Sequence, residues 1–506
     1  MLPNRDCKNV PLHLTRVQRG RNPKRQSGVY RCMPAIRHAL RALRSDILFT
    51  VTALTILALG IGANTAVFTV VNSILLRPLQ FREPEQLFAI DEIVPQFANI
   101  APLLPVNSMH FLEWKREMKS FEDLALADVQ EFNLTGTGDP ERIQGVRVTP
   151  NFFSVLGVSP EIGRTFLTEE GQEGRDRVVL LSDSLWRRRF GADPSLVGRQ
   201  IVLNGVPHEV IGILPPQFRQ YARTALGASI PGQPQVFKPW TPKTNSNWAG
   251  SHNYAAVARL KKGVTRQQAL AELNVIQSGI TRHFEPGVGK LDLLGSLTPL
   301  KERVVERGRA ALFLLLGAVG AVLLIGCVNL GNLMLVRASR RGRETAIRLA
   351  LGAEPRQVAG GILLESVLVA VAGSALGIAV AAGLLRMFTA WAPLDLPRTD
   401  EVAMDARVLL FALALAMMTA LLFGLVPAWR LAHSDPQDSL RSGGRGQSES
   451  GSKIRLREVL VSIEAGLSVA LLIVAGLLST SFIRLGEVDR GFISQNVLTA
   501  SFSADS

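Results

Sequence analysis

The chain has 506 residues, 47% of them hydrophobic and only 19% charged, with a formal net charge of +14. That is too apolar for an ordinary soluble protein and too polar for a bare membrane bundle, so membrane spans joined to a sizeable soluble domain fit best. Its three cysteines, Cys7, Cys32 and Cys327, have no paired spacing, which argues against a disulfide framework or a cysteine zinc site.

In chain order, residues 1–46 form a basic tail with 11 Lys/Arg against 2 Asp/Glu. Ile36, Leu40 and Leu43 set against Arg37, Arg41 and Arg44 predict an interfacial helix at its end. Residues 47–76 are charge-free, too long for a signal-peptide core and without a small-residue cleavage pattern, so they read as a retained first span. Residues 77–309 are long enough for one or two folded domains and mix strand and helix signals. "RQIVLNGVPHEVIGILP" predicts a hairpin turning at Asn204-Gly205. "DRVVLLSDSLWRRRFG" predicts a buried strand, a cap at Asp183 or Ser184, and a helix stopped at Gly191. "NYAAVARLKKGVTRQQALAELNVIQSGI" predicts a strand, a turn at Gly263, a Thr265 cap and a helix burying Ala269, Leu273 and Ile276. Hairpins and strand-to-helix units together predict an α+β domain.

The second half alternates apolar runs with short polar segments. The second span is expected at 310–336, a basic segment at 337–356, the third span at 357–386, an acidic loop at 387–407 and the fourth span at 408–429. A basic Gly/Ser-containing linker at 430–457, a fifth span at 458–483 and a polar segment at 484–506 follow. The expected fold is thus an integral membrane α-helical bundle of five predicted spans with a large extracytoplasmic α+β domain. The basic excess is confined to 1–46, 337–356 and 430–457, with the rest of the chain slightly acidic. Such a distribution follows the positive-inside rule and excludes a nucleic-acid face. It places the N-terminus and both basic segments in the cytoplasm, and 77–309 outside. The stretch after the fifth run echoes the one after the first, which suggests an internal duplication cut short at residue 506.

Segment 337–356 is built with more order than a simple lipid anchor needs. Arg340, Arg341, Arg343 and Arg348 form a charged rim, Glu344 and Arg348 are an i,i+4 pair, and Ala346, Ile347, Ala350 and Leu351 form an apolar stripe. Gly352 suits a helix stop, and Pro355 suits the first turn of the next helix. A helix with an apolar stripe and charged rim fits a partner's groove as well as a bilayer surface.

Here a family resemblance enters. The run from "LLLGAVGAVLLIGCVNLGNLMLVRASRRGRETAIRLALGAEPRQV" through "AGGILLESVLVAVAGSALGIAVA" resembles the core of the MacB/FtsX-type permeases of ABC transporters. "ERIQGVRVTPNFFSVLGVSPEIGRTF", "VVLLSDSLWRRRFGADPSLVGRQIVLNG" and "EVIGILPPQF" resemble that family's periplasmic core domain. The resemblance covers residues from about 34 onward, Met33 looking like a natural start. The duplication resembles the subgroup often described as orphan permeases.

The resemblance implies a bacterial inner-membrane permease for an ABC efflux system, transmitting the motion of a separate cytosolic ATPase to the periplasmic domain. The docking residues would be Arg340, Arg341, Arg343, Glu344, Ile347, Arg348, Leu351 and Gly352, with Ile347 and Leu351 as the knobs. Implied partners are that ATPase, a periplasmic adaptor, a second permease half (its own or another copy's) and the bilayer. Gly373-x-x-x-Gly377 reads as a helix-packing face or as an ordinary glycine-rich span. Glu365 and Glu464, near the starts of the third and fifth spans, read as helix-dipole partners before proton relays. No G-x-x-x-x-G-K-[ST] loop and no H-E-x-x-H occur, the seven histidines are scattered, and His208 reads as structural. No catalytic residue, cofactor or metal ligand is therefore expected, ATP being bound by the partner. The competing reading is a signalling or scaffold protein whose external domain binds a ligand or cell-wall partner.

Overall fold

The structure is a computed structural model. It describes Arg37, Arg41 and residues 43–79, 81–136, 138–216, 218, 234–243, 249–250, 252–284, 291–340, 355–391, 402–432 and 451–487. The chain divides into two units: residues 1–58, 326–376 and 414–462 form one, and residues 59–325, 377–413 and 463–506 the other.

Five long helices are described: α1 (Ile47–Val71), continued by a π-helical turn at Asn72–Leu76, α6 (Leu300–Arg340), α7 (Pro355–Trp391), α8 (Ala406–Ala432) and α9 (Gly451–Glu487). Four contain stretches long and apolar enough to cross a membrane: Ile47–Leu76, Arg309–Met334, Ala359–Trp391 and Val461–Ser481. The run expected at 408–429 lies within α8, whose described apolar stretch is the shorter Ala406–Leu422.

The α+β domain lies between α1 and α6. Its strands are β1 (Leu87–Ile93), β2 (Val106–Asn107), β3 (Phe121–Thr135), β4 (Glu141–Val148), β5 (Ile162–Gly163), β6 (Val178–Leu181), β7 (Gln200–Leu203), β8 (Val206–Ile213), β9 (Val236–Pro239), β10 (His252–Leu260) and β11 (Leu294–Pro299). Its helices are α2 (Ser108–Glu117), α3 (Phe152–Leu156), α4 (Asp183–Phe190) and α5 (Arg266–Ile280). The strands join in one sheet of order β11-β1-β10-β3-β4-β9-β6-β8-β5, with β2 on β10 and β7 bridging β3 and β8. The β4–β9 and β6–β8 pairs are parallel and the others antiparallel.

Local chemistry explains these elements. The β7–β8 hairpin turns through Asn204 at φ 49° and Gly205 at φ 74°, the two left-handed positions a tight hairpin requires. Helix α4 is capped by Ser182, whose Oγ accepts from the Leu185 N–H, one residue before the cap expected from sequence. With the strand ending at Leu181, Ser182 holds extended backbone and Asp183 already belongs to the first turn. Thr265 and Gln268 form a full capping box on α5, which buries Ala269, Leu273 and Ile276.

The central strands bury both faces. On one face Phe88, Ile90, Leu124, Leu126 and Leu260 pack with Phe111 and Trp114 of α2 and Leu273 of α5. On the other, Ala89, Ala125, Ala127 and Val257 belong to one buried cluster with Val70, Val71, Ile74 and Leu75 of the first helix and its π turn. Leu300 and Val305 of α6 and Ala381 and Leu385 of α7 join the same cluster. Alternation along each strand sends successive side chains to opposite faces.

Candidate functional site

In the unit containing the α+β domain, helix α1 is tied to its neighbours by glycines and one buried amide. A Cβ on Gly60 would lie 2.8 Å from Leu323 Cδ1, and one on Gly62 would lie 2.8 Å from the Gly377 carbonyl oxygen and 3.0 Å from Val380 Cβ. Buried Asn64 donates through Nδ2 to its own helix at Gly60 O and across to Val319 O on α6, both at 2.8 Å. That cross-link satisfies an amide that would otherwise be costly in an apolar setting.

Farther along α1, the Asp405 carboxylate accepts from Asn72 Nδ2 at 3.2 Å, from Arg77 at 2.9 Å and from the Val408 N–H at 2.9 Å. The Val408 backbone bond foremost, then Arg77 and Asn72, hold the Asp405 carboxyl below its ordinary range. The same carboxylate caps α8 and fixes the end of α1. Phe68 stacks on Phe411 with ring centroids 4.0 Å apart. Arg303, near the start of α6, pairs with Asp91 of β1 at 3.0 Å, and Lys301 donates to Leu76 O. The helix ends and the sheet are thus joined by ion pairs around a continuous apolar cluster.

The other unit holds a charge cluster built on three helices. Arg337 of α6 is 7% exposed and lies 3.5 Å from Glu365 of α7 and 3.5 Å from Asp46 just before α1, with its guanidinium 4.4 Å over the Phe49 ring. Arg337 and Glu365 bracket the segment singled out from sequence. Glu365 is therefore an ion-pair partner, a role its position in the sequence did not reveal. In this unit Gly373 of α7 also meets α1: a Cβ there would lie 2.7 Å from Leu57 Cβ.

Of the residues expected to dock a partner, Arg340 is the last residue of α6 and its side chain is outside the described set. Arg341, Arg343, Glu344, Ile347, Arg348, Leu351 and Gly352 also lie outside the described residues. Gly373 and Gly377 each lie where α7 approaches α1 closely. His208 is buried, with Nδ1 2.9 Å from Val206 O; burial pushes its pKa down.

The histidines are scattered in sequence, but two of them meet a buried glutamate in the α+β domain. Glu92, His110 and His252 bring their donor atoms within 4.8 Å of one another, a set able to ligate a metal. Burial alone would raise the Glu92 carboxyl, but the two imidazoles outweigh it and hold the group below its ordinary range. The signal was absent from spacing, because the three ligands come from β1, α2 and β10.

Comparison with known proteins supplies the frame for these sites. Residues 50–276 match the MacB-like periplasmic core domain, and residues 316–436 match the FtsX-like permease C-terminal family. The macrolide export ATP-binding/permease protein MacB of Escherichia coli K12 is 31% identical over 301 residues, covering 58% of this chain and 42% of that protein. MacB of Shigella flexneri matches with the same identity and coverage. The chain therefore spans under half the length of these relatives. The periplasmic region of MacB from Actinobacillus actinomycetemcomitans matches at a TM-score of 0.32 and 13% identity, covering 44% of this chain and 93% of that structure. The extracellular domain of the noncanonic ABC-type transporter YknZ matches at 0.29 and 14%, covering 41% and 99%.

Proposed function

We propose that this chain, which carries the two domains of a MacB/FtsX-type ABC transporter permease, converts the cycle of a separate ABC ATPase into motion of its periplasmic α+β domain. The observation that carries this reading is the apolar cluster in which residues of α1, α6 and α7 share one buried core with one face of the sheet. A close-packed core of that kind transmits displacement instead of absorbing it.

In this reading the segment 341–354 faces the cytoplasm and docks in a groove of the ATPase, with Ile347 and Leu351 as apolar knobs. Arg340, Arg341, Arg343 and Arg348 form its rim, Glu344 pairs with Arg348, and Gly352 ends the helix. The Arg337–Glu365 pair holds the two helices that flank the segment, so a push on it moves both. ATP is bound by the partner, and this chain supplies neither phosphate loop nor catalytic group. The domain moves substrates that are already outside the membrane, in concert with an adaptor, as the efflux role named for its relatives suggests. A second permease half completes the transporter. Helix α9 supports that step, since no residue in its most apolar window is buried.

The test is co-purification of an ABC ATPase with the protein from its native membrane, comparing the unaltered chain with Ile347→Asp. Recovery that is lost in the variant, with insertion unchanged, supports the reading. Recovery of no ATPase with a folded, inserted protein overturns it and favours the signalling or scaffold role.

A further inference from the structure

Glu92 projects from β1 into the core with no exposed side-chain surface, as does His110 from the first turn of α2. His252, at the start of β10, is 16% exposed. His110 Nδ1 lies 2.8 Å from Glu92 Oε1 and 3.0 Å from Oε2, and His252 Nε2 lies 2.8 Å from Oε2. The His252 contact is close, yet its geometry is not that of a hydrogen bond, so this nitrogen approaches the carboxylate without donating to it. The two rings meet edge to face at 5.7 Å, and Phe284 stacks against His110 at 6.2 Å.

We propose that Glu92, His110 and His252 bind one divalent transition-metal ion, with Zn²⁺ the best match. Two imidazole nitrogens and one carboxylate are the donor set this ion takes, at bond lengths of about 2.0–2.2 Å. Tetrahedral geometry at those lengths sets neighbouring donor atoms about 3.3 Å apart. The observed contacts around Glu92 are shorter by a few tenths of an ångström, and all three donor atoms already lie within 4.8 Å. Small side-chain rotations close that difference.

The backbone holds the three ligands in place. The Glu92 N–H donates to Leu104 O and its carbonyl accepts from the Leu104 N–H, at 2.9 and 2.8 Å. His252 stands opposite Asn107 in the β10–β2 pair. Asn107 caps α2 by accepting from the Met109 N–H, three residues before His110, and its own N–H donates to Glu92 Oε1 at 3.4 Å. A preformed set of this kind loses little freedom when the ion enters. The cation also compensates a carboxylate that burial would otherwise penalise. His252 is 16% exposed and leaves room on its side for a fourth ligand, a water, and the ion's role is to staple β1, α2 and β10 together. The proposal stands apart from the transport reading, because it concerns the α+β domain alone.

The experiment uses the full chain, untagged, in detergent. Metal content is measured by plasma mass spectrometry, then the stripped protein is titrated with Zn²⁺ against a chromophoric competitor and with Co²⁺ followed by visible absorption. One Zn²⁺ per chain is expected, together with intense Co²⁺ bands of a four- or five-coordinate site. His252→Gln and Glu92→Gln should each weaken Zn²⁺ binding at least tenfold, with circular dichroism unchanged. A folded protein that holds no stoichiometric metal and gives only the weak spectrum of aqueous Co²⁺ overturns the proposal, as does Zn²⁺ binding indifferent to both substitutions. The unaltered protein's Co²⁺ spectrum needs no variant, so the test survives if either substitution impairs folding.

Discussion

The Arg337–Glu365 pair offers the sharpest test of how the permease helices are held together. At 3.5 Å and an effective dielectric near 20, the gross attraction of two unit charges is about 5 kcal/mol. Desolvation of Arg337, which is 7% exposed, takes back much of it. Asp46 shares the guanidinium at 3.5 Å but is 43% exposed, so its contribution is screened. A net coupling of about 1–3 kcal/mol remains between Arg337 and Glu365. A double-mutant cycle of Arg337→Met, Glu365→Gln and the pair reads that coupling, with unfolding by denaturant in mixed micelles followed by far-ultraviolet circular dichroism. Glu365→Gln alone should be the costlier carboxylate change, because Glu365 is the less exposed of the two carboxylates beside the buried cation. Additive single effects, within about 0.5 kcal/mol, would refute the idea that this pair fastens the two helices.

Three further outcomes follow from the packing and the caps. Gly373→Ala places a methyl 2.7 Å from Leu57 Cβ and should cost about 1–3 kcal/mol in the same micellar unfolding assay, a cost partly relieved when Leu57→Ala is added. Ser182→Ala removes the α4 cap and should cost about 1 kcal/mol, read as a lowered melting temperature with unchanged secondary structure. The depressed His208 pKa means that neutral His208 contributes stability present in full above its unfolded value of 6.5 and lost as pH falls through the folded value. The melting temperature of His208→Gln should therefore fall less than that of the unaltered protein as pH is lowered from 7.5 to about 5; parallel curves would show that His208 carries no such linkage.

Local and periodic features could be read directly from the sequence. The turn at Asn204-Gly205, the Thr265 cap, the apolar stripe of α5 and the long apolar helices are properties of short stretches, and the structure places them where spacing predicts. The α4 cap moved by one residue because the position where a strand ends is decided by pairing, and β6 stops at Leu181 between β8 and β9. The clusters escaped for a different reason. Asp46 and Glu365, the extremes of one cluster, are 319 positions apart, and Glu92, His110 and His252 span 160. Spacing shows neither grouping, because each draws its residues from separate elements that the topology brings together. The segment 341–354, which its sequence pattern leads one to expect in a partner's groove, lies outside the described residues.

The packing of small residues bears on the transport reading in one further respect. Where a glycine meets a neighbour so closely that a methyl would fall under 3 Å away, as Gly62 does at Gly377 O and Gly373 does at Leu57, the contact cannot slide gradually. It moves as a block or shifts to another register. Ala89, Ala125, Ala127 and Val257 of the sheet share one buried cluster with the ends of α1, α6 and α7. A domain whose only task was to bind a ligand would gain nothing from a stiff seat on its helices. One that must follow them would, and this favours the transmitting role over the scaffold.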